Sequence, residues 1–189
     1  VYTITSLEMS ASREFFVTAL YGTNYGRPPL LNWLVIPLAD ALGWDRVLAA
    51  SRIVTAGATV ATGLVLAWLA SRLTRNDTFA AFAAVVFLTG DALFYRGWLA
   101  YADALFTLCV FGAIACLWVG VHERRRLLAW VAVAALTCGF LAKVQTAYVF
   151  YGVALLALAW NRDYRAELLQ PNTIGAHASA VAAFFAWHA

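Results

Sequence analysis

The sequence places a few ionisable side chains where they could carry out acid–base chemistry. Glu8 and Glu14 lie in a polar N-terminal stretch, and Asp103 lies inside the apolar run GWLAYADALFTLCVFG. A carboxylate can take the proton from an attacking hydroxyl group, although solvated surface acids are the alternative for Glu8 and Glu14. An acid at the centre of a membrane helix costs roughly 2.5–3.5 kcal/mol. Asp103 is therefore expected to line a polar pocket or, alternatively, to pair with Arg96, seven residues earlier.

Two further cations are candidates for anion binding. Arg27 precedes Pro28 and Pro29 in YGRPPLLNWL, and a guanidinium beside a rigid diproline could clamp a phosphate through two hydrogen bonds. Lys143, in CGFLAKVQTAY, could neutralise a lipid phosphate. The alternatives are an ordinary interfacial arginine at a helix start and a lysine that extends to the membrane surface.

The composition indicates a membrane protein. Of the 189 residues, 63% are apolar and only 12% are charged, with 13 basic and 10 acidic side chains. A soluble domain normally carries about 25% charged residues. This composition excludes a soluble enzyme, a disordered tail and a nucleic-acid-binding domain. The three cysteines and three histidines show no CxxC or metal-ligand spacing, so we expect neither a disulfide framework nor a metal site.

The elements that position these side chains are predicted to be helices crossing a membrane, in an all-α polytopic bundle. A span requires about 20 apolar residues. As one helix, residues 127–160 would extend about 51 Å, well beyond a hydrocarbon core of about 30 Å, so they must fold into a hairpin with Lys143 near its turn. The predicted spans are 47–71, 78–95, 98–121, 127–142, 144–160 and 173–189.

Residues 1–46 are predicted to form an external segment with interfacial helices. The apolar run at 30–42 is too short to span and contains Pro37, so we expect an interfacial or half-inserted helix. The side chains that could form one face of a short amphipathic helix are Leu7, Phe15, Phe16 and Leu20.

Three groups of arginines, each two predicted spans apart, set the orientation of the bundle. They are Arg72 with Arg75, Arg124 to Arg126, and Arg162 with Arg165. The positive-inside rule places all three groups in the cytoplasm and residues 1–46 outside. The external face then collects Glu8, Glu14, Arg27, Asp91, Arg96, Asp103 and Lys143.

The order of five short motifs resembles the GT-C membrane glycosyltransferases, in particular the protein O-mannosyltransferases and the bacterial lipid A aminoarabinose or galacturonic acid transferases. An early acid is followed by a basic residue with Pro-Pro-Leu-x-x-Trp-Leu, and then by Ser-Arg opening a span that ends in Arg-Leu. Arg-x(6)-Asp-Ala-Leu and Gly-Phe-Leu-x-Lys follow. The resemblance covers nearly all of residues 1–160.

This resemblance implies a role for each matching residue. Glu8 takes the place of the family's catalytic base, where the family usually has Asp, and Glu14 is the alternative acid. Asp103 matches the second loop acid and is expected to be catalytic, positioning the acceptor or the base. Arg27 matches the basic residue associated with the lipid phosphate. Lys143 matches the lysine after Gly-Phe-Leu. Arg96 is assigned to the donor phosphate with them.

The resemblance also implies a helix before the catalytic loop and a further C-terminal half. The sequence starts at Val1 without a leader and stops at Ala189 within an apolar stretch. We therefore expect a piece of a longer protein whose N- and C-terminal parts are missing.

The implied function is an inverting transfer of a sugar from a polyprenyl-phosphate donor to a lipid or protein acceptor. The active site is expected to face the periplasm from a bacterial inner membrane, with lipid A modification among the possible roles. No cofactor is expected, and the lipid-linked donor counts as a substrate. No metal site is expected either, because the sequence has no metal-ligand motif and the resemblance implies enzymes that generally need none. The alternatives are a polytopic transporter with a polar external vestibule and a non-catalytic assembly subunit. The second rests on a ridge of small side chains, Ser51, Thr55, Thr59, Gly63, Ala67 and Ser71.

Overall fold

The computed structural model describes residues 1–90 and 99–188, and almost all of that part of the chain is helical. A two-residue turn joins the antiparallel strands β1 (Ala19–Leu20) and β2 (Thr23–Asn24), and a short 3-10 helix covers Trp44–Arg46. The α-helices are α1 (Tyr2–Ser12), α2 (Leu30–Leu42), α3 (Val47–Thr74), α4 (Asp77–Thr89), α5 (Ala102–His122), α6 (Arg126–Lys143), α7 (Thr146–Trp160), α8 (Arg162–Leu168) and α9 (Pro171–His188).

Among the described residues, three helices are long and apolar enough to cross a membrane: α3 with the 3-10 helix before it, α5 and α6. Helices α4 and α7 are apolar but have only 13 and 15 residues, or about 20 Å of length. The predicted span at 78–95 continues beyond α4 into residues outside the described part of the chain. The six membrane crossings and the boundary at residue 46 stay predictions.

The bundle has two ends that differ in their charged groups. We call the hairpin end the one that carries α1, the β-strands and α2, where Lys143 at the end of α6 contacts Asp103 at the start of α5. We call the opposite end the basic end, where Arg72 near the end of α3 contacts Glu123 just after α5. Helices α3 and α5 therefore run in the same direction, and α6 returns between the two ends.

Helix α9 runs parallel to α6 and antiparallel to α7. At the basic end the indole Nε1 of Trp130 donates to Oδ1 of Asn172 over 3.0 Å. At the hairpin end the rings of Phe140 and Trp187 have centroids 6.5 Å apart. The final turns of α6 and α9 consequently lie side by side at the hairpin end.

Local sequence signals explain where several helices begin and end. Pro28 and Pro29 precede α2, a position where a missing backbone N–H costs nothing. The side chain of Asn76 accepts from the backbone N–H of Phe79 and caps α4, and Asn161 caps α8 through the N–H of Asp163 in the same way. Both caps begin a new helix at the basic end, shortly after the preceding helix has ended there.

Two apolar clusters hold the bundle together. One lies between α5, α6, α7 and α9 and includes Leu117 and Leu136. The other joins α2, α3 and α5 through residues such as Val35, Ala50 and Leu105. Many large apolar side chains point outward instead, as expected of helices that face lipid.

The small-residue ridge of α3 does permit a close helix approach. A Cβ atom on Gly63 would lie 3.0 Å from Cγ of Leu88 in α4, so only glycine fits there without a shift. Ser51 and Thr55, lower on the same ridge, are fully buried. Packing within the chain thus accounts for these three positions of the ridge.

The predicted amphipathic helix near the N-terminus is wrong in its extent and in its buried face. Helix α1 ends at Ser12, and Arg13 then adopts a left-handed conformation with φ 59°. Its buried residues are Thr5, Ser6 and Met9, because the two hydroxyl groups donate to the carbonyl oxygen of Tyr2 and need no water. The apolar residues assigned to that face do not share it: Leu7 is 50% exposed, Phe15 and Phe16 follow the helix, and Leu20 lies in β1.

Candidate functional site

The backbone of Arg27 is fixed by a buried threonine. Oγ1 of Thr18 donates to the carbonyl oxygen of Arg27 over 2.7 Å and accepts from its N–H over 3.2 Å. The N–H of Tyr25 donates to the carbonyl oxygen of Thr18 over 2.8 Å. Together these bonds join the two chain segments at the base of the β-hairpin. Because Pro28 and Pro29 follow, the chain at Arg27 is restrained on both sides.

Two tyrosines orient the Arg27 side chain. Its Nη1 donates to the hydroxyl oxygen of Tyr2 over 3.3 Å, and its Cζ lies 5.3 Å from the ring centroid of Tyr25. Within residues 1–90 and 99–188, no carboxylate forms an ion pair with it. The guanidinium therefore keeps most of its N–H donors for an anion.

Arg27 lines a cleft of about 210 Å³ between the hairpin segment and the helix ends. Phe140 of α6 and Trp187 of α9 form the opposite wall, and the ring of Phe16 lies 6.3 Å from that of Trp187. The other lining residues are Val17, Thr18, Asn24, Gly26, Pro28, Val144 and His188. One cation faces apolar and aromatic walls, an arrangement suited to an amphipathic anion such as a lipid phosphate.

Asp103 pairs with Lys143. Nζ of Lys143 donates to Oδ1 of Asp103 and lies 5.6 Å from the ring centroid of Phe106. This pair explains how an acid is tolerated in the first turn of a membrane helix. Lys143 is adjacent in sequence to Val144, which lines the Arg27 cleft. The proposed local partner, Arg96, and Asp91 lie outside the described residues.

Glu8 is held against the tip of the hairpin. One carboxylate oxygen accepts from the N–H of Tyr21 over 2.7 Å, and the other accepts from the N–H of Gly22 over 3.3 Å. Both turn residues have positive φ, 54° and 75°, as the favoured two-residue hairpin turn requires. The carboxylate satisfies two backbone donors that the turn leaves free. Glu14 lies in the exposed segment after α1.

The structure brings some of the predicted residues together and separates others. Asp103 and Lys143 are in contact, and Arg27 lies in a cleft that includes the residue after Lys143. Glu8 is bonded to the hairpin and makes no hydrogen bond with Asp103 or Lys143. Helix α1 connects the two parts, since its Tyr2 packs against the apolar cluster that contains Ala102 and Leu105.

Several residues that hold Arg27 or line its cleft were not predicted. Thr18, Tyr2 and Tyr25 position Arg27, and Phe16 and Trp187 form the aromatic walls. A threonine nine residues before Arg27 gives no periodic signal, because the intervening turn decides the pairing.

Comparison with known proteins gives three results. Residues 2–186 match the family model described as dolichyl-phosphate-mannose-protein mannosyltransferase. The chain is 32% identical over 119 residues to an undecaprenyl phosphate-alpha-4-amino-4-deoxy-L-arabinose arabinosyl transferase from Edwardsiella ictaluri (strain 93-146), which covers 63% of the chain and 21% of that protein. It is 27% identical over 125 residues to the protein of the same name from Enterobacter sp. (strain 638), which covers 66% of the chain and 22% of that protein.

The fold is similar to the crystal structure of ArnT from Cupriavidus metallidurans in the apo state. The TM-score is 0.83 at 18% sequence identity, and the match covers 99% of this chain and 35% of that one. At this identity the likeness shows the fold alone, and it confirms the predicted polytopic helical bundle. The chain spans about a fifth of the length of the curated relatives it matches.

Proposed function

The chain belongs to the dolichyl-phosphate-mannose-protein mannosyltransferase family, and from this we propose that the whole protein is a membrane glycosyltransferase. The resemblance predicted from the five motifs is confirmed by that membership. The reaction would move a sugar from a polyprenyl-phosphate donor to an acceptor hydroxyl, with inversion at the anomeric carbon. The transporter alternative has no support from the family or from the named relatives.

The observation that carries this proposal is the cleft of Arg27. Breaking a glycosyl phosphate bond places negative charge on the leaving phosphate, and a fixed cation stabilises that charge. Arg27 is restrained through its backbone by Thr18 and through its side chain by Tyr2. The aromatic walls offer a surface for the isoprenoid chain or for the face of a sugar ring.

The remaining residues receive roles from their chemistry and position. Glu8 would take the proton from the acceptor, with Glu14 as the alternative base. Lys143 would share the phosphate with Arg27, and its contact with Asp103 supports a role for that acid in orienting the ammonium group. Arg96, outside the described residues, stays assigned to the donor phosphate.

The finer assignments follow the named relatives. By their names these relatives transfer an aminoarabinose linked to undecaprenyl phosphate. We propose an undecaprenyl-phosphate sugar as the donor and a lipid A-type lipid as the first acceptor to test. We propose a bacterial inner membrane as the location, with the hairpin end facing the periplasm. The arginine groups at the opposite end support this orientation.

The test uses the full-length protein in liposomes with a radiolabelled undecaprenyl-phosphate sugar. Transfer of label to an acceptor is expected, and Arg27→Gln should reduce turnover by about 10²–10³, the usual loss when one charge-stabilising donor is removed. Arg13→Gln is the matched control, because it removes an exposed cation from the same end of the bundle. Solute uptake without transfer, or an equal loss in both variants, would refute the proposal.

Glu8 requires a separate test because its carboxylate also holds the turn. Glu8→Gln keeps one acceptor oxygen for a turn N–H but cannot take a proton at neutral pH. Turnover should be lost while the donor still binds. If Glu8→Gln turns over normally, Glu8 is not the base, and Glu14→Gln becomes the informative variant.

A further inference from the structure

A second polar pocket lies at the basic end, away from the site described above. It has a volume of about 480 Å³ and is lined by Ser71, Arg72 and Arg75 from the end of α3 and by His122 and Glu123 from the end of α5. None of these residues has a role in sugar transfer at the hairpin end. The question is therefore what a polar pocket of this size could hold.

Two arginines contact Glu123, an acid that lines the pocket. Nη1 of Arg72 donates to both carboxylate oxygens of Glu123, over 3.1 and 3.2 Å, and Nε of Arg125 lies 2.9 Å from Oε2 of the same acid. In the part of the chain that the structure describes, no ion pair involves Arg75. The nearby Asp77 accepts from the Ser71 hydroxyl group instead. The pocket thus keeps an excess of positive charge and is already shaped for an oxyanion.

The pocket is located where lipid headgroups lie. Helices α3 and α5 are both long and apolar enough to span a membrane, and both end at this pocket. The indole of Trp118 stacks on the His122 ring with centroids 4.7 Å apart, and aromatic side chains of this kind are enriched at the membrane–water interface. Basic pockets between membrane helices on the cytoplasmic side are suited to anionic headgroups.

We propose that this pocket binds the phosphate of an anionic phospholipid from the leaflet at the basic end. Arg75 supplies a charge that no described carboxylate neutralises, and Arg72 supplies the N–H groups that Glu123 does not occupy. Glu123 competes with the lipid for Arg72, because a carboxylate and a phosphate accept the same hydrogen bonds. The site is independent of the sugar donor, which binds at the opposite end.

The test measures binding to the full-length protein in a neutral detergent. The probes are short-chain phosphatidylglycerol, short-chain phosphatidylcholine and free glycerol phosphate, and the readout is the shift in thermal unfolding midpoint as each probe is titrated. Phosphatidylglycerol should stabilise the protein at lower concentration than either other probe. Arg75→Gln should weaken this binding about fivefold.

Two further variants make the outcome decisive. Glu123→Gln should bind phosphatidylglycerol more tightly, since it releases Arg72, and this gain cannot come from a damaged fold. Arg162→Gln is the matched control: it removes a cation from the same end, outside the pocket, and should leave the affinity unchanged. Equal stabilisation by phosphatidylcholine or by glycerol phosphate would overturn the proposal, as would equal losses in Arg75→Gln and Arg162→Gln.

Discussion

Replacing Asp103 by Asn tests whether the Asp103–Lys143 pair serves catalysis or only joins two helices. The substitution keeps the shape of the side chain and removes its charge. Lys143 then loses the carboxylate that fixes its ammonium group at the start of α5. If Asp103 orients Lys143 toward the donor phosphate, turnover must fall although no group that touches the donor has been removed.

The structure limits how much stability the pair can contribute. The Asp103 side chain is 67% exposed and that of Lys143 is 44% exposed. An ion pair this accessible contributes about 0.2–1 kcal/mol after solvent screening. The free energy of unfolding should therefore change by less than about 1 kcal/mol. Misplacing a group at a reacting centre by about 1 Å costs about a hundredfold in rate, equivalent to about 2.7 kcal/mol.

The assay combines turnover in liposomes with thermal unfolding for Asp103→Asn, Lys143→Met and the double variant. If Asp103 acts through Lys143, the double variant should be no slower than Lys143→Met alone. The matched control is Glu167→Gln, which breaks the ion pair between Glu167 and Arg124 at the basic end. It should reduce stability to a similar small extent and leave turnover unchanged.

Two results would refute this reasoning. If Asp103→Asn turns over at the normal rate, the pair is only a structural contact and Asp103 is not part of the proposed catalytic site. If the losses in Asp103→Asn and Lys143→Met multiply in the double variant, the two residues act independently. Asp103 would then have its own role at the acceptor or the base.

Three stability predictions follow from local geometry, each measured as the free energy of unfolding of the full-length protein. Tyr21→Gly should raise the free energy of unfolding by about 1 kcal/mol, because Tyr21 has φ 54°, a left-handed conformation that is unfavourable for residues other than glycine. A lower free energy of unfolding would mean that the tyrosine ring makes a stabilising contact. Gly63→Ala should lower it by about 1–3 kcal/mol, since its Cβ would lie 3.0 Å from a leucine of α4. The control is Gly57→Ala, where a Cβ would meet open space and the free energy of unfolding should not fall. Equal effects of the two substitutions would contradict the packing explanation. Tyr151→Phe should lower it by about 1 kcal/mol, because Nε2 of His177 loses its hydrogen bond to the Tyr151 hydroxyl; no change would show that the bond is dispensable.

Signals that act over a few residues could be read from the sequence. The diproline at 28–29 begins α2, and the helix predicted over 30–42 is present as Leu30–Leu42, although its interfacial placement stays a prediction. The arginine groups mark the turns at the basic end, as their spacing indicated. The family resemblance rested on the same kind of short motif, and it held.

Pairings across the chain could not be read in this way. The partner of Asp103 is Lys143, 40 residues later, whereas a local search offered only Arg96. The sequence likewise gave no reason to bury Thr5, whose hydroxyl group hydrogen-bonds with the side chain of Asn32, 27 residues away. Such contacts depend on how helices pack, and periodicity carries no information on the direction or neighbour of each helix.

The base and the tip of the β-hairpin are held by separate hydrogen bonds. The backbone of Arg27 is bonded to Thr18 at the base of the hairpin. Glu8 accepts hydrogen bonds from the N–H groups of Tyr21 and Gly22 at the tip. Residues added at the tip would enlarge a closed ring at an entropic cost that grows only slowly with length. Such an insertion would move the Tyr21 and Gly22 N–H groups away from Glu8, which stays on α1, and would leave the Arg27 backbone in place. The contact between the turn and the acid could therefore vary without altering how Arg27 is held.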